Sequence, residues 1–163
     1  MELKGKKIIL ASGSPRRREL LAGLNIDFEV DTRNNFEERF DPSTPHSEVP
    51  AVMSVGKSHG FHRELGDDEI LITSDTMVLL DKVIMGKPHS REEAFDMLRS
   101  LSGREHEVIT AVTVRDRQHE ETFSDSTLVW VNELTDEEIA YYIDTCKPFD
   151  KAGAYGIQEW IGY

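Results

Sequence analysis

The stretch that most constrains this chain is residues 8–24, IILASGSPRRRELLAGL. Ile8, Ile9 and Leu10 are apolar β-formers and read as a buried strand. A loop of small residues follows. Ser14 then suits a helix N-cap, Pro15 the first helical position and Gly23 the helix end. Arg16, Arg17 and Arg18 crowd the first turn, although a helix N-terminus carries about +0.5 of a charge and disfavours each cation by roughly 0.3–1 kcal/mol. At about 100° per residue, Leu20, Leu21 and Leu24 mark the expected buried side. Arg17 falls almost on that side, Arg16 at its flank, and Arg18 points furthest outward. A cation turned inward at the mouth of a strand–loop–helix unit suggests a phosphate site. A solvated basic turn is the competing reading.

The rest of the composition sharpens that choice. With 19 basic and 31 acidic residues the net charge is −12, which argues against nucleic acid or an anionic membrane as partner. A polyanionic ligand would need a local basic cluster, and a metal to offset its charge. The 163 residues, 38% of them hydrophobic, suit one domain with a real core. No apolar run is long enough for a membrane span or signal peptide. A single cysteine, Cys146, allows no internal disulfide and suits a reducing compartment.

Beyond the first helix, residues 27–31 read as a short strand and residues 32–50 as a surface loop carrying Phe36, Glu37 and Glu38. A helix is expected over 51–65, with Val52, Met53, Phe61 and Leu65 as apolar contacts and Gly56 and Gly60 each costing about 1 kcal/mol against Ala. Gly56-Lys57-Ser58 is not a P-loop, because Ala51 stands where the Walker pattern needs glycine and no strand precedes it. Residues 69–85 read as two β segments with a turn near Asp81-Lys82. Asp75 interrupts their apolar run. A carboxylate there must be paired, hydrogen-bonded or bound to metal, or else serve a turn or bulge. Gly86-Lys87-Pro88 then sets Lys87 in a rigid turn.

Ser90-Arg91-Glu92-Glu93 reads as a capping box ahead of a scaffold helix bearing Ala94, Met97, Leu98 and Leu101, closed by Gly103. Residues 106–115 and 121–131 alternate as paired antiparallel strands. A second capping box, Thr135 to Glu138, opens a helix over 139–145. In residues 150–163, Gly153 and Gly156 permit positive φ or close backbone approach. Gln158 can donate and accept, as reading a base edge requires; an ordinary surface glutamine is the bland alternative. His59 and His62 lack a third ligand at useful spacing and read as a solvated pair, not a zinc site.

Taken together, the segments Ala11-Ser12-Gly13-Ser14-Pro15-Arg16-Arg17, Glu19-Leu20-Leu21, Ser74-Asp75-Thr76, Gly86-Lys87-Pro88, Leu101-Ser102-Gly103, Ile109-Thr110-Ala111-Val112 and residues 150–158 (DKAGAYGIQ) resemble the Maf family of nucleoside triphosphate pyrophosphatases. The resemblance spans nearly the whole chain. Asp-Thr and the terminal Gly-Ile-Gln resemble the branch acting on dTTP and UTP. The fold it implies is α/β, a mixed and strongly twisted sheet with flanking helices (Maf/ITPase-like), forming two lobes around a central cleft. The chain is expected to be a single Maf-like domain over 1–163 that lacks the family's C-terminal strand and helix. Two local departures are Ser58, where the family usually has Ala, and Lys82 in place of the usual turn Gly.

By the same resemblance, Asp75 is the proton acceptor, and Arg16, Thr76 and Gln158 tune substrate choice. Ser12, Ser14, Arg16, Arg17, Lys57 and Lys87 are expected to bind phosphates. Glu38, or else Glu37, joins Asp75 in holding a divalent cation, Mg²⁺ or Mn²⁺. The expected protein is a cytoplasmic homodimer that cleaves a small-molecule triphosphate and binds neither nucleic acid nor membrane. A non-catalytic nucleotide-binding regulator of cell division and an ITP-type house-cleaning pyrophosphatase are the alternatives.

Overall fold

A computed structural model describes residues 3 and 5–163. In order, the elements are β1 (Lys7–Leu10), α1 (Pro15–Ala22), β2 (Phe28–Val30), α2 (Val49–His59), β3 (Glu69–Leu80), β4 (Val83–Met85), α3 (Arg91–Leu101), β5 (Glu105–Arg115), β6 (Glu120–Trp130) and α4 (Asp136–Cys146). Short 3-10 turns cover His46–Glu48, Ala152–Ala154 and Trp160–Gly162. The architecture is mixed α/β: a six-stranded sheet in the order β2-β1-β3-β5-β6, with β4 on β3. Among the described residues no helix is long and apolar enough to cross a membrane.

Two compact units divide the chain, one of residues 1–75 with 110–125, the other of 76–109 with 126–163. In the first, β1 runs parallel to β2 and to β3, with Ile8 opposite both Phe28 and Ile70. Ile9, Phe61, Leu65 and Leu71 pack as its apolar core. A second, polar seam joins α2 to the sheet. Ser54, Thr73 and Thr113 are all fully buried; Thr73 Oγ1 donates to the Ser54 carbonyl at 2.8 Å and Ser54 Oγ to Thr113 Oγ1 at 2.9 Å. These hydroxyls satisfy one another, as buried polar groups must.

The second unit holds two apolar clusters. Ala94, Leu98, Ile139, Tyr142, Ile143 and Ala154 pack α3 against α4, and Val78, Leu80, Met85 and Leu101 pack the β3–β4 hairpin against α3. The hairpin turns at Asp81 (φ 49°) and Lys82 (φ 66°), both left-handed, the geometry a two-residue turn demands and glycine meets at least cost. The box at Thr135 forms in full.

Three sequence expectations need correction. Leu20 and Leu24 are 70% and 65% exposed: Leu24 falls in the turn after Ala22, outside the helical period, and Leu20 lies on a solvent-facing side of α1. No residue of α1 is buried; the inward position belongs to half-buried Arg17. The second helix stops at His59 instead of 65, and Phe61 and Leu65 reach the core from the chain beyond it. At Ser90 only half a capping box exists: Ser90 Oγ accepts from Glu93 N at 3.0 Å, but the Glu93 carboxylate turns to the amide of His89 at 2.9 Å.

Candidate active site

The first unit gathers a polar constellation at the carboxyl end of β1 and midway along β3. Ser54 and Lys57 sit three apart on α2, and Thr73 and Asp75 two apart on β3, so each pair shares a face. The Ser54–Thr73 bonds therefore set α2 in the register that brings Lys57 to Asp75. Lys57 Nζ lies 2.7 Å from Asp75 Oδ1 and 3.1 Å from Glu38 Oε1. Asp75 is thus a paired carboxylate within a strand, and the turn or bulge reading of it is set aside. Both Lys57 and Asp75 are about four-fifths covered, while Glu38 is 62% exposed.

Glu38 arrives there because residues 31–38 dock on the end of α2. Asn34 Nδ2 donates to the Lys57 carbonyl at 2.7 Å and Asn34 Oδ1 accepts from Phe36 N at 2.8 Å. Asn35 N reaches the Gly60 carbonyl at 2.8 Å. The Phe36 side chain lies over Gly56 and Gly60. A β-carbon on Gly56 would stand 2.3 Å from the ring, and one on Gly60 2.5 Å from Phe36 Cβ and 2.8 Å from Phe36 N. Both glycines, unfavourable for a helix, are there to seat this loop. Glu37 points elsewhere and pairs with Arg39, so Glu38 is the carboxylate beside Asp75.

Arg17 forms the other side of the constellation. Its Nη1 donates to the Ser74 carbonyl at 2.8 Å and to Ser12 Oγ at 3.4 Å. Burial pushes its guanidinium below the usual range; Asp75 opposes that shift and Arg16 adds to it. Ser14 caps α1, accepting from Arg17 N at 3.5 Å, and donates its own amide to Ser12 Oγ at 3.3 Å. Arg16 is half-buried and Arg18 exposed. The turn is therefore no ordinary solvated patch: Arg17 is drawn inward beside a carboxylate pair.

Ser58, the residue after Lys57, is fully buried. Its Oγ accepts from Arg115 Nε at 2.9 Å and its carbonyl from Arg115 Nη2 at 2.8 Å. A cation closing the C-terminal end of α2 suits the helix dipole. Sequence reasoning missed Arg115, since nothing local links residue 58 to 115.

In the second unit, Thr76 is half-buried in β3, while Lys87 and Gln158 are exposed. The turn bearing Lys87 is tied to the glycine-rich segment by Gly153 N to the Gly86 carbonyl, 3.1 Å. Gly153 has φ 68°, the conformation its residue type favours. His106 is 3% exposed and bonds Tyr155 Oη at 2.6 Å, with the rings edge to face at 5.4 Å. Burial lowers the His106 pKa, and burial raises that of Tyr155 to about 12.

Among the described residues, no three of His, Cys, Asp and Glu gather around a metal position. His59 pairs with Glu120 and His62 with Asp31, each at its own place. Asp75 and Glu38 do converge, on the one cation they share, the Lys57 ammonium. Their donors are carboxylate oxygens, which suit Mg²⁺ when phosphate oxygens and waters complete its shell. The pair fits a divalent cation of that kind.

The family model described as Maf-like protein matches residues 7–163. The dTTP/UTP pyrophosphatase of Parabacteroides distasonis is 48% identical over 161 residues, covering 99% of this chain and 83% of the relative. Those of Porphyromonas gingivalis and Flavobacterium psychrophilum are 47% and 45% identical, each covering 99% of this chain and 82% of the relative. A solved HAM1 protein from Coxiella burnetii overlaps 77% of this chain and 73% of its own at a TM-score of 0.47 and 12% identity, too slight a likeness to carry an argument. With a family model matched from the first strand to the last residue, and relatives near half identity over 99% of this chain, the chain belongs to the Maf-like protein family.

Proposed function

We propose that the chain hydrolyses dTTP and UTP between the α- and β-phosphates, giving the monophosphate and pyrophosphate. The observation that carries the reading is Asp75: a carboxylate within a strand, held by Lys57 beside Glu38 and Arg17, in a chain whose relatives bear that activity in their names.

Each side chain then has a task. Arg17, with Arg16, Lys57 and Lys87, screens a triphosphate of up to four negative charges and stabilises the charge gathering on the departing pyrophosphate. Ser12 and Ser14 add hydroxyls and amides at the α1 N-terminus. Asp75 orients the attacking water and takes its proton as the water oxygen bonds to the α-phosphorus and the bond to the bridging oxygen breaks. Lys57 holds Oδ1 and so orients the carboxylate. Asp75 and Glu38 would hold Mg²⁺ or Mn²⁺, which when bound would screen the phosphates and acidify the water. Gln158 meets two groups of the acceptor–donor–acceptor edge of uracil or thymine, and Arg16 and Thr76 refine the choice. Sites built on such bonds can reject an analogue lacking them by up to about 10⁴–10⁵-fold.

The same reading makes the two units one Maf-like domain acting as a cytoplasmic homodimer. The net charge of −12 supports a small substrate over nucleic acid. The test is product analysis with Mg²⁺ and a panel of triphosphates. Monophosphate and pyrophosphate from dTTP and UTP are expected. Orthophosphate release, a preference for ITP, or binding without product would overturn it.

A further inference from the structure

We infer that Tyr142 is a positioning residue for nucleobase selection, its hydroxyl fastening both ends of the exposed Ile157-Gln158 step. The inference rests on the proposed role of Gln158 as the residue that reads the base.

Tyr142 lies on α4 with its side chain fully buried in the α3–α4 cluster. A phenylalanine would fill that space, so the hydroxyl is explained by what it bonds. It accepts the Gly156 N–H at 3.0 Å and donates to Glu159 Oε2. The other oxygen of Glu159 lies 2.9 Å from Lys151 Nζ, itself 8% exposed and also bonded to Asp150 Oδ1 at 2.9 Å. Backbone closes the same step: Glu159 N donates to the Gly156 carbonyl at 3.0 Å. Residues 156 and 159 are thus pinned to one buried oxygen, and the two residues between them face solvent, Ile157 at 58%.

The clamp has little slack. A β-carbon on Gly156 would come within 3.1 Å of Lys151 Cε. Burial, and then the Glu159 carboxylate, push the Tyr142 phenol far above its usual range, so it stays a donor at every working pH. Burial alone would lower the Lys151 pKa; its bonds to Asp150 and Glu159 outweigh that and raise it, keeping the ammonium charged. A side-chain amide that must discriminate by hydrogen bonds gains from being held before the ligand arrives.

Tyr142→Phe in the full chain tests this. The ratio of kcat/KM for dTTP over dCTP is expected to fall about tenfold, through a higher KM for dTTP, with kcat changed less than about threefold. Inhibition by pyrophosphate, which has no base, should be unchanged. Loss of folded protein alone would instead lower kcat on every substrate equally and leave KM and the ratio alone, and that result overturns the proposal. Glu159→Ala, removing the anchor from the other side, should give the same loss of selectivity should Tyr142→Phe not fold, and Glu159→Gln, which keeps an acceptor, should restore most of it. Hydrogen exchange at the Gly156 amide is expected to quicken in Tyr142→Phe while α4 stays protected; unchanged exchange overturns the clamp. A wild-type chain without preference for dTTP over dCTP overturns the Gln158 reading, whereas the exchange result judges the clamp by itself.

Discussion

The Lys57 ammonium donates to Asp75 Oδ1 at 2.7 Å, and through it an α-helix and a β-strand present a carboxylate and a cation side by side. Their alignment is inherited from residues one step back on the same faces, Ser54 and Thr73, whose buried hydrogen bonds tie the helix to the strand.

Asp75→Asn keeps the shape and a hydrogen-bonding oxygen but removes the proposed proton acceptor. Turnover of dTTP should fall by about 10²–10⁴-fold, the usual contribution of a positioned acid or base, while nucleotide affinity changes far less. Single-turnover kinetics beside equilibrium binding separate the two; full turnover with normal binding would remove Asp75 from the chemistry.

Gly60→Ala reverses an ordinary rule. Alanine near a helix end normally gains up to about 1 kcal/mol over glycine, but here the added carbon meets Phe36 backbone at 2.8 Å. Overpacking of that kind costs about 1–3 kcal/mol. A lower urea midpoint is the expected outcome and, on the proposed role of Glu38, more Mg²⁺ needed for half-maximal turnover as its loop lifts; a stabilised variant would show that the loop docks loosely.

Ser58→Ala should cost about 1 kcal/mol, since Arg115 loses one acceptor and keeps the Ser58 carbonyl. Urea denaturation of Ser58→Ala, Arg115→Leu and the double variant forms the cycle that isolates the pair. Additive losses would mean the contact contributes nothing.

His106 supplies a pH signature. Burial depresses its folded pKa below the ordinary 6.5, so the unfolded chain binds the proton first. The stabilisation is complete above about pH 6.5 and is lost as pH falls through the lowered folded value. Chemical denaturation of wild type and His106→Gln from pH 7.5 to 5 should converge toward acid, with the wild type losing more. Parallel curves would show that His106 does not titrate between the two states.

Much of this was legible beforehand because it is local. The strand–loop–helix opening, the β3–β4 hairpin and the Thr135 box all rest on residues within a few positions of one another. The failures come from distance or from extending a period too far. Gly56 and Gly60 count as helix costs until Phe36, far upstream of both, is seen to occupy the space they leave. Leu24 obeys a helical repeat that has already ended. Glu93 prefers the amide of His89 to that of Ser90, a choice between neighbouring donors that spacing cannot resolve. Arg115 and Tyr142 carry no motif at all, since their importance lies wholly in partners brought near by the fold.

The helix that opens the chain is moored by polarity. It buries no residue, and the Arg17 guanidinium is already committed to the Ser74 carbonyl at 2.8 Å. That bond and the 3.4 Å contact to Ser12 both engage Nη1, so together they fix the plane of the guanidinium ahead of any ligand. A helix without an apolar anchor thus takes its orientation from one planar cation, and charge alone, as a lysine would offer it, does not replace the fork.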